Sequence, residues 1–211
     1  MFGSDFVQQG GFIMYPLILF SVLVWTIALH KYVILASFTK KYKKLDAEIN
    51  TAIKARRVTD FKIAFSNSPE MVRHAHEVLI EDLAITEEAF KERITRRLTE
   101  MNRHLRENLW VLGTISSSAP FLGLFGTVLG IMESFKAIGA SGKSGFSVVA
   151  AGISESLIAT ASGIIVAVIA VIFYNHLQTK VNAIAHDIRQ KVEDTKDLLT
   201  DAKTKAGSAW Q

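Results

Sequence analysis

Apolar and polar positions are segregated along this chain rather than interleaved. One apolar run extends from about Phe12 to Leu29, is interrupted by His30 and Lys31, and resumes at Tyr32-Val33-Ile34-Leu35. A second runs from about Trp110 to Phe135, and a third from about Val148 to Tyr174. A helix needs roughly 20 such residues to cross about 30 Å of hydrocarbon. The pattern therefore predicts transmembrane helices over 12–35, 110–135 and 148–174.

Between and after the runs the pattern changes to a helical alternation of charged and apolar residues. Over 40–57, Lys40, Lys41, Lys43 and Lys44 precede Leu45, Ile49 and Ile53, which predicts a basic amphipathic helix starting at the membrane edge. A loop around Ser66-Asn67-Ser68-Pro69 follows, with Ser68 placed to cap a helix and Pro69 at its first position. That helix is expected to run on into the second span. Its apolar face holds Ile94, Leu98, Met101, Leu105, Leu109 and Leu112, with Glu92, Arg93, Arg96, Arg97 and Glu100 on the other faces. The tail repeats the mixture with Val181, Ile184, Ile188 and Val192. The expected fold is an all-α integral membrane protein with three spans and long helical extensions.

Composition agrees. The 211 residues include 21% charged residues, yet mean hydropathy is +0.26. No cysteine is present, which excludes disulfides and thiolate metal sites. Residues 1–11 carry Asp5 and neither Lys nor Arg; lacking a basic start, the first run is expected to be an uncleaved anchor. Lys plus Arg number none in 1–11, fifteen in 36–109, two in 136–146 and six in 177–211. The excess of positive charge on cytoplasmic segments then gives a periplasmic N-terminus (1–11), a cytoplasmic region (36–109), a periplasmic loop (136–147) and a cytoplasmic C-terminal helix and tail (175–211). The net charge of +4 suits anionic lipid headgroups. No stacking or groove-reading motif points to nucleic acid.

Three apparent motifs carry no chemistry. Gly142-Lys143-Ser144 looks like the end of a phosphate loop, but the required earlier glycine is Ala137. His74 and His76 point about 200° apart on a helix and cannot share a metal. His104 and His176 have no ligand spacing, and no nucleophile–base set is evident. Neither an enzyme nor a metal or cofactor site is expected.

The apolar spans hold a more informative pattern. Gly123, Gly126 and Gly130 form a small-residue face, which brings the second span close to another helix. Thr127 shares a face with Gly123, Gly130 and Ser134; Thr160 shares one with Ser156, Gly163 and Ala167. Glu155 lies about 12 Å into the third span, where a carboxylate is costly unless paired, hydrated or protonated. Two hydroxyl-bearing stripes can line a narrow pore or simply pack together. The residues alone leave both open and name no ion. The threonine stripes lack a carboxylate, so a proton path along them needs a titrating group from a partner.

Residues 118–132 read Ser-Ala-Pro-Phe-Leu-Gly-Leu-Phe-Gly-Thr-Val-Leu-Gly-Ile-Met, and 148–163 read Val-Val-Ala-Ala-Gly-Ile-Ser-Glu-Ser-Leu-Ile-Ala-Thr-Ala-Ser-Gly. Both resemble the ExbB/TolQ/MotA proton-channel family, the ExbB/TolQ branch most closely. The resemblance implies a ring, usually of five copies, in the bacterial inner membrane. It implies two copies of a single-span partner similar to ExbD or TolR, each supplying an aspartate that carries the proton (H⁺, with Na⁺ as the alternative ion). Thr127, Thr160, Glu155, Ser156 and Ser134 are then expected along the ion path, and Gly123, Gly126, Gly130, Gly163 and Pro120 in helix packing. The chain departs from the branch at two third-span prolines, replaced by Ala151 and Ile169. A gliding-type or flagellar-type stator, or a passive membrane scaffold, therefore stands as the alternative.

Overall fold

A computed structural model of the chain describes residues 11–54, 86–141 and 146–206; for 53, 54, 140, 141, 146–149, 151, 155, 199 and 201–206 it describes the backbone only. The cap at Ser68, the His74/His76 pair and most of the 139–144 motif lie outside the described residues. Among the described residues all regular structure is helical: α1 (Met14–Lys54), α2 (Glu87–Arg106), α3 (Leu109–Ser141) and α4 (Phe146–Ala206). Helices α1, α3 and α4 are each long and apolar enough to cross a membrane.

Two expectations about helix ends are corrected. The basic stretch from Lys40 is not a separate helix, because α1 runs unbroken to Lys54. Beyond Pro16, in the first turn, α1 contains neither Gly nor Pro, so nothing in its sequence ends it. Conversely, no continuous helix enters the second span: α2 stops at Arg106 and α3 starts at Leu109. The break is local chemistry. Glu107 leaves helical geometry at ψ 137°, and Asn108 sits at φ 63°, a left-handed conformation that Asn tolerates better than most residues. The apolar face still passes through the break in phase, with Leu105, Leu109 and Leu112 all buried. That continuity explains why spacing alone conceals the interruption. Asn108→Val is expected to destabilise the fold by about 1–2 kcal/mol, whereas Asn108→Gly should not. Thermal melts of the two variants in detergent, followed by circular dichroism, check the difference.

The chain forms two compact units, one from Met1–His30 with Asn108–Leu177, the other from Lys31–Glu107 with Gln178–Gln211. The second is a three-helix assembly. From α1, Leu35, Phe38, Tyr42, Leu45, Ile49 and Ala52 are buried at alternating spacings of three and four, a coiled-coil-like seam. It meets Phe90, Ile94, Leu98, Met101 and Leu105 of α2 and Val181, Ile188 and Val192 of α4. The N-terminus of α2 is capped by the Thr86 hydroxyl, which accepts from the Ala89 N–H at 3.4 Å, and Glu87 and Glu88 complement its dipole. The Lys91 ammonium, 2.6 Å from Glu87, holds that carboxyl below its ordinary range. At the other end, buried Lys31 donates to the Leu105 carbonyl at 3.4 Å. Lys191 bridges to Asp46 at 2.8 Å.

The first unit contains the apolar halves of α1 and α4 with all of α3. Large side chains such as Trp25, Phe121, Phe125, Ile165 and Ile172 point outward, which suits a lipid-facing or subunit-facing surface. The interior combines small residues, Ala119, Ala159, Ala167 and Ala170, with larger ones such as Leu17, Leu112 and Ile115.

Candidate functional site

The functional motifs of the sequence meet where α3 and α4 pack against each other. The pairs in contact are Ala119 with Gly163, Gly123 with Thr160, Gly126 with Ala159, and Gly130 with Ser156. Numbers rise along one helix as they fall along the other, so the helices are antiparallel. Their approach is backbone to backbone. A methyl group on Gly163 would lie 2.6 Å from the Ala119 carbonyl oxygen, and one on Gly123 would lie 2.9 Å from the Thr160 Cα. Only hydrogen fits at these positions, which is how small residues bring transmembrane helices together.

The glycines read as packing residues, Gly123, Gly126, Gly130 and Gly163, are all in this seam. Pro120 lies inside α3 and is half-buried. Ser134 and Ser156 are buried between the helices, with their hydroxyls donating to Gly130 (2.8 Å) and Ile153 (2.8 Å) carbonyls of their own helices. Three seam residues were missed by the sequence reading, the first of them Ala119, whose carbonyl lies against Gly163. Gly152 abuts the Ser134 side chain, and Ala159 packs on Gly126. Gly152 is one turn before Ser156, so the helical period could have found it. The Glu155 side chain lies outside the described ones.

Thr127 and Thr160 occupy a distinct position. The Thr160 hydroxyl reaches across the seam and donates to the Gly123 carbonyl at 2.9 Å. The Thr127 hydroxyl donates to its own Leu124 carbonyl at 2.6 Å. Both residues are half-buried. Gly126 faces the entry to α1, with Ile13, the residue just before that helix, at 3.4 Å from its added Cβ, and it also touches Ala159. One residue further along, each helix turns about 100°, from Gly126 to Thr127 and from Ala159 to Thr160. In an antiparallel pair these two steps turn toward the same flank. The threonines therefore share the flank of the α3–α4 pair that faces away from α1. They also share a level, because Thr160 bonds to a residue one helical turn from Thr127. Each hydroxyl proton is committed to a carbonyl, so what the pair offers outward is acceptor oxygen.

On the opposite flank, beside the start of α1, a cavity of about 250 Å³ opens against Ile13, Gly130, Glu133, Ser134 and Ser156. It has the size and polarity to hold several waters.

Comparison with known proteins identifies the family. A profile described as the MotA/TolQ/ExbB proton channel family matches residues 64–190. The chain is 34% identical over 171 residues to the biopolymer transport protein ExbB of Salmonella typhimurium, covering 77% of this chain and 70% of that one. It is 32% identical over 193 residues to the putative biopolymer transport protein ExbB-like 1 of Helicobacter pylori, covering 86% and 90%. To the Tol-Pal system protein TolQ of Haemophilus influenzae it is 41% identical over 102 residues, covering 47% and 45%. With its three apolar helices and these matches, the chain is a membrane protein belonging to the MotA/TolQ/ExbB proton channel family.

Proposed function

We propose that this chain is the channel-forming stator subunit of an inner-membrane motor driven by the proton-motive force. Several copies, five by resemblance, surround two copies of a single-span partner similar to ExbD or TolR. The N-terminus is periplasmic, and the C-terminus is cytoplasmic. The chain itself catalyses no covalent step and holds no cofactor; the ion it passes is H⁺.

The observation that carries this reading is the shared flank of Thr127 and Thr160. A ring built with α1 outside turns that flank toward the axis. There the two acceptor oxygens can receive a hydrogen bond from water or from the protonated carboxyl of a partner helix. Close glycine packing keeps the α3–α4 wall thin and stiff, so a partner can move against it without opening it. Each proton crossing 100 mV releases about 2.3 kcal/mol, and a few per step suffice to rearrange a helix interface. The matched relatives favour ExbB/TolQ-type work, transport across the envelope or its maintenance, over gliding or flagellar rotation.

The test is to co-express the chain with a single-span protein carrying an intramembrane aspartate, and to reconstitute the product in vesicles under a proton gradient. The expected product contains more copies of this chain than of the partner, and the complex changes the rate at which the gradient decays. A chain that remains monomeric, or a complex that leaves the decay unchanged in every state, overturns the proposal.

A further inference from the structure

In the unit formed by Lys31–Glu107 and Gln178–Gln211, α1 and α4 leave an open groove of about 510 Å³. Its charged wall consists of Lys40 and Lys43 from α1 and Lys180 from α4, and Ala36 and Ala183 supply small side chains that leave the space open. No carboxylate lines it. Three other lysines of these helices are engaged, Lys44 with Glu48, Lys91 with Glu87, and Lys191 with Asp46, and Lys41 does not line the groove. Among the described residues, Lys40, Lys43 and Lys180 form no ion pair. Lys180 instead lies 4.3 Å from the centre of the Tyr32 ring, a half-exposed aromatic of the kind that settles at the boundary of lipid and water.

The level of the groove identifies its occupant. Lys40 is five residues past Leu35, the end of the first apolar run, and Lys180 is six past Tyr174, the end of the third. At 1.5 Å per residue these are about 8 and 9 Å. Headgroups occupy roughly the first 5–8 Å outside the hydrocarbon. Lys43, eight residues past Leu35, lies about 12 Å out, so the three lysines sit at or just beyond the outer edge of the headgroup layer, and their long side chains can reach back to lipid phosphates around a recess rather than a flat face.

We propose that this groove seats the phosphate headgroup of an anionic phospholipid of the host membrane. The three ammoniums donate to the phosphate oxygens, Tyr32 packs beside Lys180 at the rim, and the acyl chains remain in the bilayer. The site would fix the juxtaposition of α1 and α4 where they leave the hydrocarbon.

The test uses the full chain, reconstituted in vesicles of phosphatidylcholine with added phosphatidylglycerol and then released for native mass spectrometry. Wild type is expected to retain phosphatidylglycerol in preference to phosphatidylcholine. Lys40→Gln with Lys43→Gln and Lys180→Gln should weaken that retention about tenfold or more, since each basic residue near the surface contributes measurably. Lys41→Gln with Lys44→Gln and Lys91→Gln removes the same charge elsewhere and should leave retention near wild type. Ala183→Leu fills the groove without altering charge and should lower retention as the first triple does. Equal loss in both triples, or unchanged retention in Ala183→Leu, overturns the site. So does an Ala183→Leu variant that keeps its lipid but changes the number of copies in the particle, which would make the groove a contact between subunits.

Discussion

On the proposed function, valine at both Thr127 and Thr160 is expected to leave the subunit folded and assembled while sharply lowering the work it draws from the proton gradient. Valine matches threonine in shape, so the seam keeps its packing. The Gly123 carbonyl loses the hydrogen bond from Thr160, seen at 2.9 Å, but keeps its place in the backbone ladder of α3. That loss costs about 1 kcal/mol, which an interface of this extent tolerates. What disappears is the pair of acceptor oxygens on the flank away from α1. Each lost acceptor is worth about 1 kcal/mol of hydrogen bonding, so the double variant should fall by about thirtyfold in rate, and each single variant by less. The measurement pairs an energy-dependent activity in cells with the size of the extracted complex. Full activity with an intact complex would remove both threonines from the path.

Gly163→Ala is expected to do the reverse, failing at the level of structure. Its added methyl would lie 2.6 Å from the Ala119 carbonyl oxygen and 3.1 Å from the Gly123 Cα, all backbone atoms. Neither can swing aside, so α3 and α4 must separate. Overpacking of this kind costs about 1–3 kcal/mol, and separation also pulls Thr160 away from Gly123. Gly139→Ala is the matched control, because nothing lies within 4 Å of a methyl there; replacing a helical glycine with alanine should be neutral or mildly stabilising. Thermal stability of the detergent-extracted protein reads both. A Gly163→Ala protein as stable as wild type would mean that the seam is looser than its backbone contacts imply.

The three spans and the buried face of α2 were legible in the sequence because both rest on periodicity. Ile94, Leu98, Met101 and Leu105 recur at helical spacing and are buried as that spacing requires. Helix ends were less legible. Glu107 and Asn108 break the helix through two backbone torsions, while the apolar face continues in register on either side. Continuity past Leu35 was hidden for the opposite reason: a change from apolar to basic composition looks like a boundary, although the backbone of α1 does not change there. The small-residue stripes were found, but a stripe specifies only which residues share a face. Its occupant is set by tertiary structure. Gly123 and Gly163 are buried between α3 and α4, Gly130, Ser134 and Ser156 border the cavity beside the start of α1, and Thr127 and Thr160 stay half-open on the other flank.

The hydroxyl geometry has a consequence for any acid brought beside those threonines. With both hydroxyl hydrogens already donated to Leu124 and Gly123, the oxygens there can accept a hydrogen but have none to give. They therefore stabilise a neutral carboxylic acid and leave its conjugate base unsolvated. By linkage, a visiting side chain holds its proton more tightly while seated against this wall and releases it more readily on leaving. In the proposed motor, arrival would favour loading and loss of the proton would favour departure, so the direction of motion would be biased by which side of the membrane refills the acid.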